Sequence, residues 1–199
     1  MNNKNIRRIS INFVKTFVAT ATLMAASVAP ALAQPKVRIV GARYGGSGCP
    51  DGTARVTVSP DGQELSILFD EFIANAAGKP KERRKSCNLA IPVQVPPGFQ
   101  VSVYKFDYRG YVAPATTGRL SAEYFFAGKR GPKIVRRIRG EKDYVASDRI
   151  GTLVWSACGD KVNMRVNTAL SARGKDVATL DSVDVSHALR YQLRYRKCK

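Results

Sequence analysis

The chain is short of the residues that most metal and hydrolase chemistries require. Its 199 residues include one histidine, His187, and four cysteines, with no C-x-x-C pair and no dense carboxylate cluster. A zinc enzyme or a two-metal hydrolase would lack its usual ligand set, so no metal or cofactor is expected. No G-x-S-x-G elbow is present, which removes the strand-turn-helix nucleophile of the α/β-hydrolases. No repeat of roughly 20–50 residues recurs, which argues against a propeller or solenoid. Acidic residues are scarce, at 15 against 33 lysines and arginines. Hydrophobic residues nevertheless reach 44%, so the chain is no disordered polyelectrolyte and a core is possible. The length allows one domain of ordinary size, or two very small ones.

The first residues read as an address. Lys4, Arg7, Arg8 and Lys15 stand without an acid, an Ala-rich apolar run covers Phe17–Val28, and Ala31-Leu32-Ala33 precedes Gln34 and Pro35. A basic start, a short apolar run and small residues before the cut define a secretory signal. The run falls short of the roughly 20 residues a membrane span needs, and Pro30 ends it. Residues 1–33 are therefore expected to be a cleaved signal peptide, leaving Gln34–Lys199 as one secreted domain without a transmembrane segment. That part keeps 29 basic residues against 15 acidic ones, a net charge of +14. Such an excess belongs on the surface, where it selects partners and not the fold.

All four cysteines follow the expected cut. An even count beyond a secretory signal reads as two disulfides. Of the three possible pairings, Cys49–Cys87 and Cys158–Cys198 are preferred, one staple toward each end. Each would close a loop of about 40 residues, worth roughly 4 kcal/mol in the chain-entropy account.

Period-2 alternation dominates. Val56 and Val58; Leu65, Ile67 and Phe69; Cys87 to Val95; Phe99, Val101 and Val103; Leu120 to Phe126; Leu153, Trp155 and Ala157; Val162 to Thr168; and Leu189 to Tyr195 each alternate with other neighbours. Pro60-Asp61-Gly62, Pro96-Pro97-Gly98, Gly131-Pro132 and Gly159-Asp160 punctuate them. About eight to ten short strands with turn chemistry between them predict an all-β fold, a single antiparallel β-sandwich of jelly-roll type.

Residues able to carry catalysis are thinly spread. His187 would have to serve any Ser-His-Asp site, with Ser182 or Ser186 and Asp181 or Asp184, and reads better as a surface residue. Asp70 and Glu71 adjoin on one strand and point to opposite faces, so they do not form a glycosidase pair; Asp107 and Glu123 stand alone. Asp176, Asp181 and Asp184 lack calcium-loop spacing. The aromatic run Tyr104, Phe106, Tyr108 and Tyr111 offers a sugar or base platform if Phe99, Val101 and Val103 take the core side. The competing and weightier reading packs these rings under a second layer.

Basic residues gather in three stretches: Lys79–Lys85, Lys129–Lys142 and the C-terminus. Lys129, Arg130, Lys133, Arg136, Arg137, Arg139, Arg165, Arg190, Arg194 and Arg196 are the candidate anion-binding residues, drawing polyanions by Coulomb steering and counterion release. Ile134, Val135 and Ile138 among the arginines predict an edge strand whose long side chains reach water. If Cys158 bonds Cys198, strands near 161–168 and 189–196 are expected to be antiparallel neighbours, with Asn163 opposite Arg194 and Asn167 opposite Arg190. Their polar faces would merge into one surface for sugar hydroxyls and anions.

Gly46-Ser47-Gly48-Cys49-Pro50, Ser66–Phe72, Cys87-Asn88-Leu89, Pro97-Gly98-Phe99, Asp107–Tyr111, Trp155–Gly159, Asp181-Ser182 and Tyr195–Cys198 follow one another in an order that resembles the secreted proteins of the family called domain of unknown function 4360. The resemblance runs from Val40 to Cys198. It implies a secreted all-β domain with one cysteine pair toward each end, and no activity. The leading expectation is a non-catalytic secreted or periplasmic protein that binds an anionic glycan, a lipid head group or an acidic protein, and no cytosolic nucleic acid. An envelope structural or protein-interaction module, inhibitors included, comes second. An enzyme acting on polysaccharide or peptide comes third.

Overall fold

A computed structural model of the chain describes residues 37–62, 64–102, 105–150, 154–159, 161–185 and 194–198. The expected leader, Tyr104, His187 and Arg190 lie outside the described residues. Fifteen strands and no helix are found among those described. They are β1 (Arg38–Ile39), β2 (Arg43–Gly45), β3 (Ala54–Val58), β4 (Leu65–Phe69), β5 (Ile73–Asn75), β6 (Arg84–Gln94), β7 (Phe99–Ser102), β8 (Lys105–Val112), β9 (Thr116–Phe126), β10 (Lys133–Arg139), β11 (Lys142–Arg149), β12 (Lys161–Gly174), β13 (Val177–Thr179), β14 (Ser182–Val185) and β15 (Arg194–Lys197).

The first sheet runs β1-β6-β12-β9-β10, with β2 also paired to β6. The second runs β3-β4-β14-β8-β13-β5, with β11 also paired to β8. A ribbon of β7 and β15 stands apart from both sheets. The alternating residues explain the layering. Leu89 and Ile91 of β6, Leu120 and Tyr124 of β9, and Met164 and Val166 of β12 turn one way and are buried. They meet Leu65 and Ile67 of β4 and Phe106 and Tyr108 of β8 in one core. Each large aliphatic or aromatic side chain fully buried there contributes roughly 1.5–3 kcal/mol. The chain is thus an antiparallel β-sandwich.

Both disulfides are present: Cys49–Cys87 with 5.5 Å between Cα atoms and Cys158–Cys198 with 5.8 Å. The first is buried and ties the loop after β2 to β6. The second fastens the segment 154–159 to the end of the β7–β15 ribbon. Ser156 completes that join, its N–H donating to Val101 O at 2.9 Å and its Oγ accepting from Val101 N–H at 3.0 Å.

Three expectations fail here. Strand β12 is not a neighbour of the C-terminal strand: β6 occupies one of its edges and β9 the other, while β15 pairs with β7. A strand has two edges, so Asn163 and Asn167 cannot face Arg194 and Arg190 across a ladder. The Cys158–Cys198 bond reaches β15 from an irregular segment and dictates no pairing. The aromatic run follows its weightier reading: Phe106 and Tyr108 are fully buried, so they form no exposed platform. Strand β7 pairs with β15, while β8 pairs with β11, β13 and β14 of the second sheet, so the inside-outside phase of β7 does not carry into β8. Among the described residues of that set, Tyr111 sits half-buried on the outer side of β8. Trp155 lies in a segment without strand structure, where an alternating strand is expected.

Arg136 departs from the third expectation, that its side chain reaches water. On β10 it stands opposite Leu120, on the inward side, whereas Arg137 and Arg139 face out. Its Nε donates to Asp148 Oδ1 at 2.7 Å and its Nη2 donates to Ser147 O. Tyr124 OH donates to Asp148 Oδ2 at 2.5 Å, and Tyr108 and Tyr124 share a hydroxyl hydrogen bond of 2.6 Å. The chain of groups crosses from β10 and β9 of the first sheet to β11 and β8 of the second. Burial pushes the phenol pKa values of Tyr108 and Tyr124 up, and the nearby Asp148 charge pushes them further.

Candidate functional site

The side of the first sheet turned away from the core is where polar chemistry collects. In an antiparallel ladder directly opposed residues share a face, so the register arranges these outward residues into rows. One row is Arg43, Ala90, Arg165 and Phe125, contributed by β2, β6, β12 and β9. The next is Gly45, Asn88, Asn167, Glu123 and Lys133. On the other side of the first row, Pro92 stands opposite Asn163.

A small residue between two arginines produces a dip. Strands lie about 4.8 Å apart, so the Arg43 and Arg165 backbones flank Ala90 at roughly 10 Å from one another. The resulting groove has a volume of about 540 Å³ and is lined by Arg43, Tyr44, Gly45, Asn88, Ala90, Pro92, Asn163 and Arg165. Tyr44 is held by its own hydroxyl, which donates to Ala54 O on β3 at 2.8 Å. That bond fixes the β2 edge of the groove to the second sheet. Asn163 Oδ1 is buried and without a hydrogen-bond partner among the described residues. Half-buried Phe125 stands beside Arg165 in its row.

The charge on this face is nearly of one sign. Outward positions of its strands carry Arg38, Arg43, Arg84, Arg119, Lys133, Arg137, Arg139, Lys161, Arg165 and Arg173, against one carboxylate, Glu123. The second sheet differs. On its outer side Lys105 Nζ lies 2.8 Å from Asp107 Oδ2, and Ser147 Oγ donates to the same carboxylate. Burial raises the Asp107 pKa, but these hydrogen bonds and the charges of Lys105 and Arg109 outweigh it and hold the group below the usual carboxylate range.

The sequence-derived anion-binding set is therefore split. Arg165, Lys133, Arg137 and Arg139 share the outer face of the first sheet. Lys129 is spent on structure, its Nζ donating to Trp155 O at 2.8 Å and Ser156 O at 3.1 Å. Arg136 is the ion-pair partner of Asp148. Arg196 lies over the Trp155 ring, 4.4 Å from its centroid, and its Nε donates to Gln100 Oε1. Arg130 is exposed in the turn before β10, and Arg194 is placed on β15 opposite Ser102. Sequence reasoning missed Arg43, Asn88 and Phe125. Outward parity along β2, β6 and β9 marks them individually, but only pairing brings them into adjacent rows.

Residues 35–198 match the family described as Domain of unknown function (DUF4360). The chain belongs to that family. A relative, an uncharacterized secreted protein of Arthroderma benhamiae, is 35% identical over 184 residues, covering 82% of this chain and 72% of that one. Two disulfides and a secreted relative place this DUF4360 domain outside the cytosol. Among solved structures, TmCBM61 in complex with beta-1,4-galactotriose is 9% identical over 81% of this chain and 91% of its own, with a TM-score of 0.31. The family 11 carbohydrate-binding module of Clostridium thermocellum, in complex with a beta-1,3-1,4-mixed-linked tetrasaccharide, is 10% identical over 78% of this chain and 98% of its own, with a TM-score of 0.30. Likeness at this level carries no argument about what the DUF4360 domain binds.

Proposed function

We propose that the domain is a non-catalytic binder of an acidic glycan, seated in the groove on the outer face of the first sheet. The observation that supports this reading is the placement of Arg43 and Arg165 on either side of Ala90. Guanidinium groups pair with carboxylate or sulfate in a planar, bidentate way, and the small alanine leaves room for an acid group between them. Phe125 supplies an apolar flank to a sugar ring. The Asn88 and Asn163 carboxamides border the same space and suit sugar hydroxyls; a hydroxyl donor reached by rotation of Asn163 would satisfy its unpaired Oδ1, which otherwise costs roughly 1–3 kcal/mol. Export with removal of residues 1–33 belongs to this reading, and N-terminal sequencing of the exported protein is expected to begin at Gln34.

An array of neutral and acidic oligosaccharides, read at low and high salt, tests it. Acidic sugars are expected to bind and neutral analogues to bind at least tenfold more weakly. The R43Q/R165Q variant is expected to lose most acidic-sugar binding while keeping its thermal midpoint. Equal binding of neutral and acidic forms, or full binding by that variant, refutes the reading. Binding to no glycan, with a stable protein captured instead, would make the domain an interaction module.

A further inference from the structure

The groove occupies one end of the first sheet's outer face, and the other end carries a second concentration of charge. Two successive rows define it. In the first, Arg84, Ser171, Arg119 and Arg137 follow one another across β6, β12, β9 and β10. In the second, Arg173, Thr117 and Arg139 do the same across β12, β9 and β10. All five arginines are exposed, and neither row holds a carboxylate. Arg119 and Arg137 are directly opposed, an arrangement that costs stability because like charges meet at one cross-strand site. The acid on the face, Glu123, lies four residues along β9 from Arg119, about 13 Å away, and faces Lys133.

We propose that these rows form a second anion subsite and that the ligand is a long anionic polysaccharide lying along β12, its acid groups meeting the groove at one end and the arginine rows at the other. The inference rests on the reading of the groove for the kind of polymer, while the arginine rows stand apart from it in position and in test. Arg165 and Arg173 are eight residues apart on one strand, so the track is about 27 Å long, enough for several sugar units. Between the two ends lie two rows: Asn88, Asn167, Glu123 and Lys133, then Ser86, Ala169, Ser121 and Val135. Along β6 and β12 these are small residues or carboxamides that do not block a chain, and the one carboxylate, Glu123, is directly opposed by Lys133 on β10. A polysaccharide fits better than a nucleic acid. The arginine rows and the row beside them contain no aromatic side chain on which a base could stack, and stacking is what holds single strands on basic sheets. Hydroxyls of the half-buried Ser171 and Thr117 lie among the cations, where sugar hydroxyls would come.

The test uses long polygalacturonate, short galacturonate oligomers and duplex DNA as probes. Wild-type protein is compared with R119Q/R137Q/R173Q and with R43Q/R165Q. For the first variant, affinity for long polygalacturonate is expected to fall at least tenfold at low salt, and the slope of log affinity against log salt to shrink by about two to three. Binding of short oligomers is expected to stay unchanged. R119Q alone is expected to raise the thermal midpoint slightly, since it relieves the opposed pair. Should the triple variant fold poorly, R84Q/R139Q supplies the same comparison from the same rows. Unchanged affinity and slope for the long polymer in both sets overturns the second subsite, as does no binding of that polymer by the wild type. Duplex DNA bound as tightly as polygalacturonate, and lost in parallel, overturns the polysaccharide. Failure of the groove reading is seen separately, as short-oligomer binding that ignores R43Q/R165Q.

Discussion

Arg136 and Arg137 are adjacent in sequence and opposite in role, and replacing each by glutamine separates them. Arg136 donates to Asp148, whose side chain is 3% exposed, while the Arg136 side chain itself is 41% exposed. Breaking a fully buried ion pair by removing one partner costs about 3–5 kcal/mol. The half-open position of Arg136 lets solvent screen part of that interaction, and Tyr124 OH continues to donate to Asp148. We therefore expect R136Q to lose about 2 kcal/mol, a reduction by solvent screening of the buried-pair value. For a domain of this size each kcal/mol moves the thermal midpoint by about 2–4 °C, so R136Q is expected to melt about 4–8 °C lower. R137Q, on the solvent side, is expected to stay within about 0.5 kcal/mol of wild type. Thermal melts of the single variants, D148N and R136Q/D148N close a double-mutant cycle, with an expected coupling of roughly 1–2 kcal/mol. Equal melting of R136Q and R137Q, or a coupling near zero, would refute the inward placement of Arg136 and with it the clamp between β10 and β11.

The two disulfides differ in access: Cys49 and Cys87 are fully buried, whereas Cys158 is exposed. Mild reductant is expected to free the Cys158–Cys198 thiols first, with Cys49–Cys87 opening only on unfolding, as followed by alkylation and mass spectrometry; the reverse order would contradict the packing. Alkaline pH is expected to unfold the domain. Tyr108, Tyr124 and Tyr144 have folded pKa values raised above the ordinary 10.0, chiefly by burial. Above pH 10 the unfolded chain releases these protons and the folded one does not, so stability is intact below about pH 10 and declines as pH rises beyond it. In an ultraviolet titration these three phenols should ionise only together with loss of the fold; smooth early ionisation of all tyrosines would show them solvated.

Where local chemistry and chain period act alone, the sequence was legible. Cys87, Leu89, Ile91, Val93 and Val95 alternate and are all buried, because a strand's period of two is a property of the backbone. Leu120 to Phe126 and Val162 to Thr168 behave in the same way. Lys161, Asn163, Arg165 and Asn167 likewise face outward on β12 as their parity requires. The disulfides were legible as an even cysteine count beyond the expected signal, and the preferred pairing matches the two that form. The phase of a strand was not legible where its pairing partners change: β7 pairs with β15 and β8 with strands of the second sheet, and Val101 on the one and Phe106 and Tyr108 on the other are all buried.

The amino-acid order by itself determined an all-β, disulfide-stapled, basic domain, because strand alternation, turn residues, cysteine parity and net charge all act locally or by simple summation. Tertiary structure alone decided which charges meet. Arg43 and Arg165 are 122 positions apart in the chain, and Arg84, Arg119 and Arg173 are equally scattered. They come together because β12 pairs with β6 along one edge and β9 along the other. Register then fixes face and row for every residue at once. The same long-range pairing turned Arg136 inward toward Asp148 and left Arg137 in water, a distinction that no composition or spacing of like-charged neighbours contains.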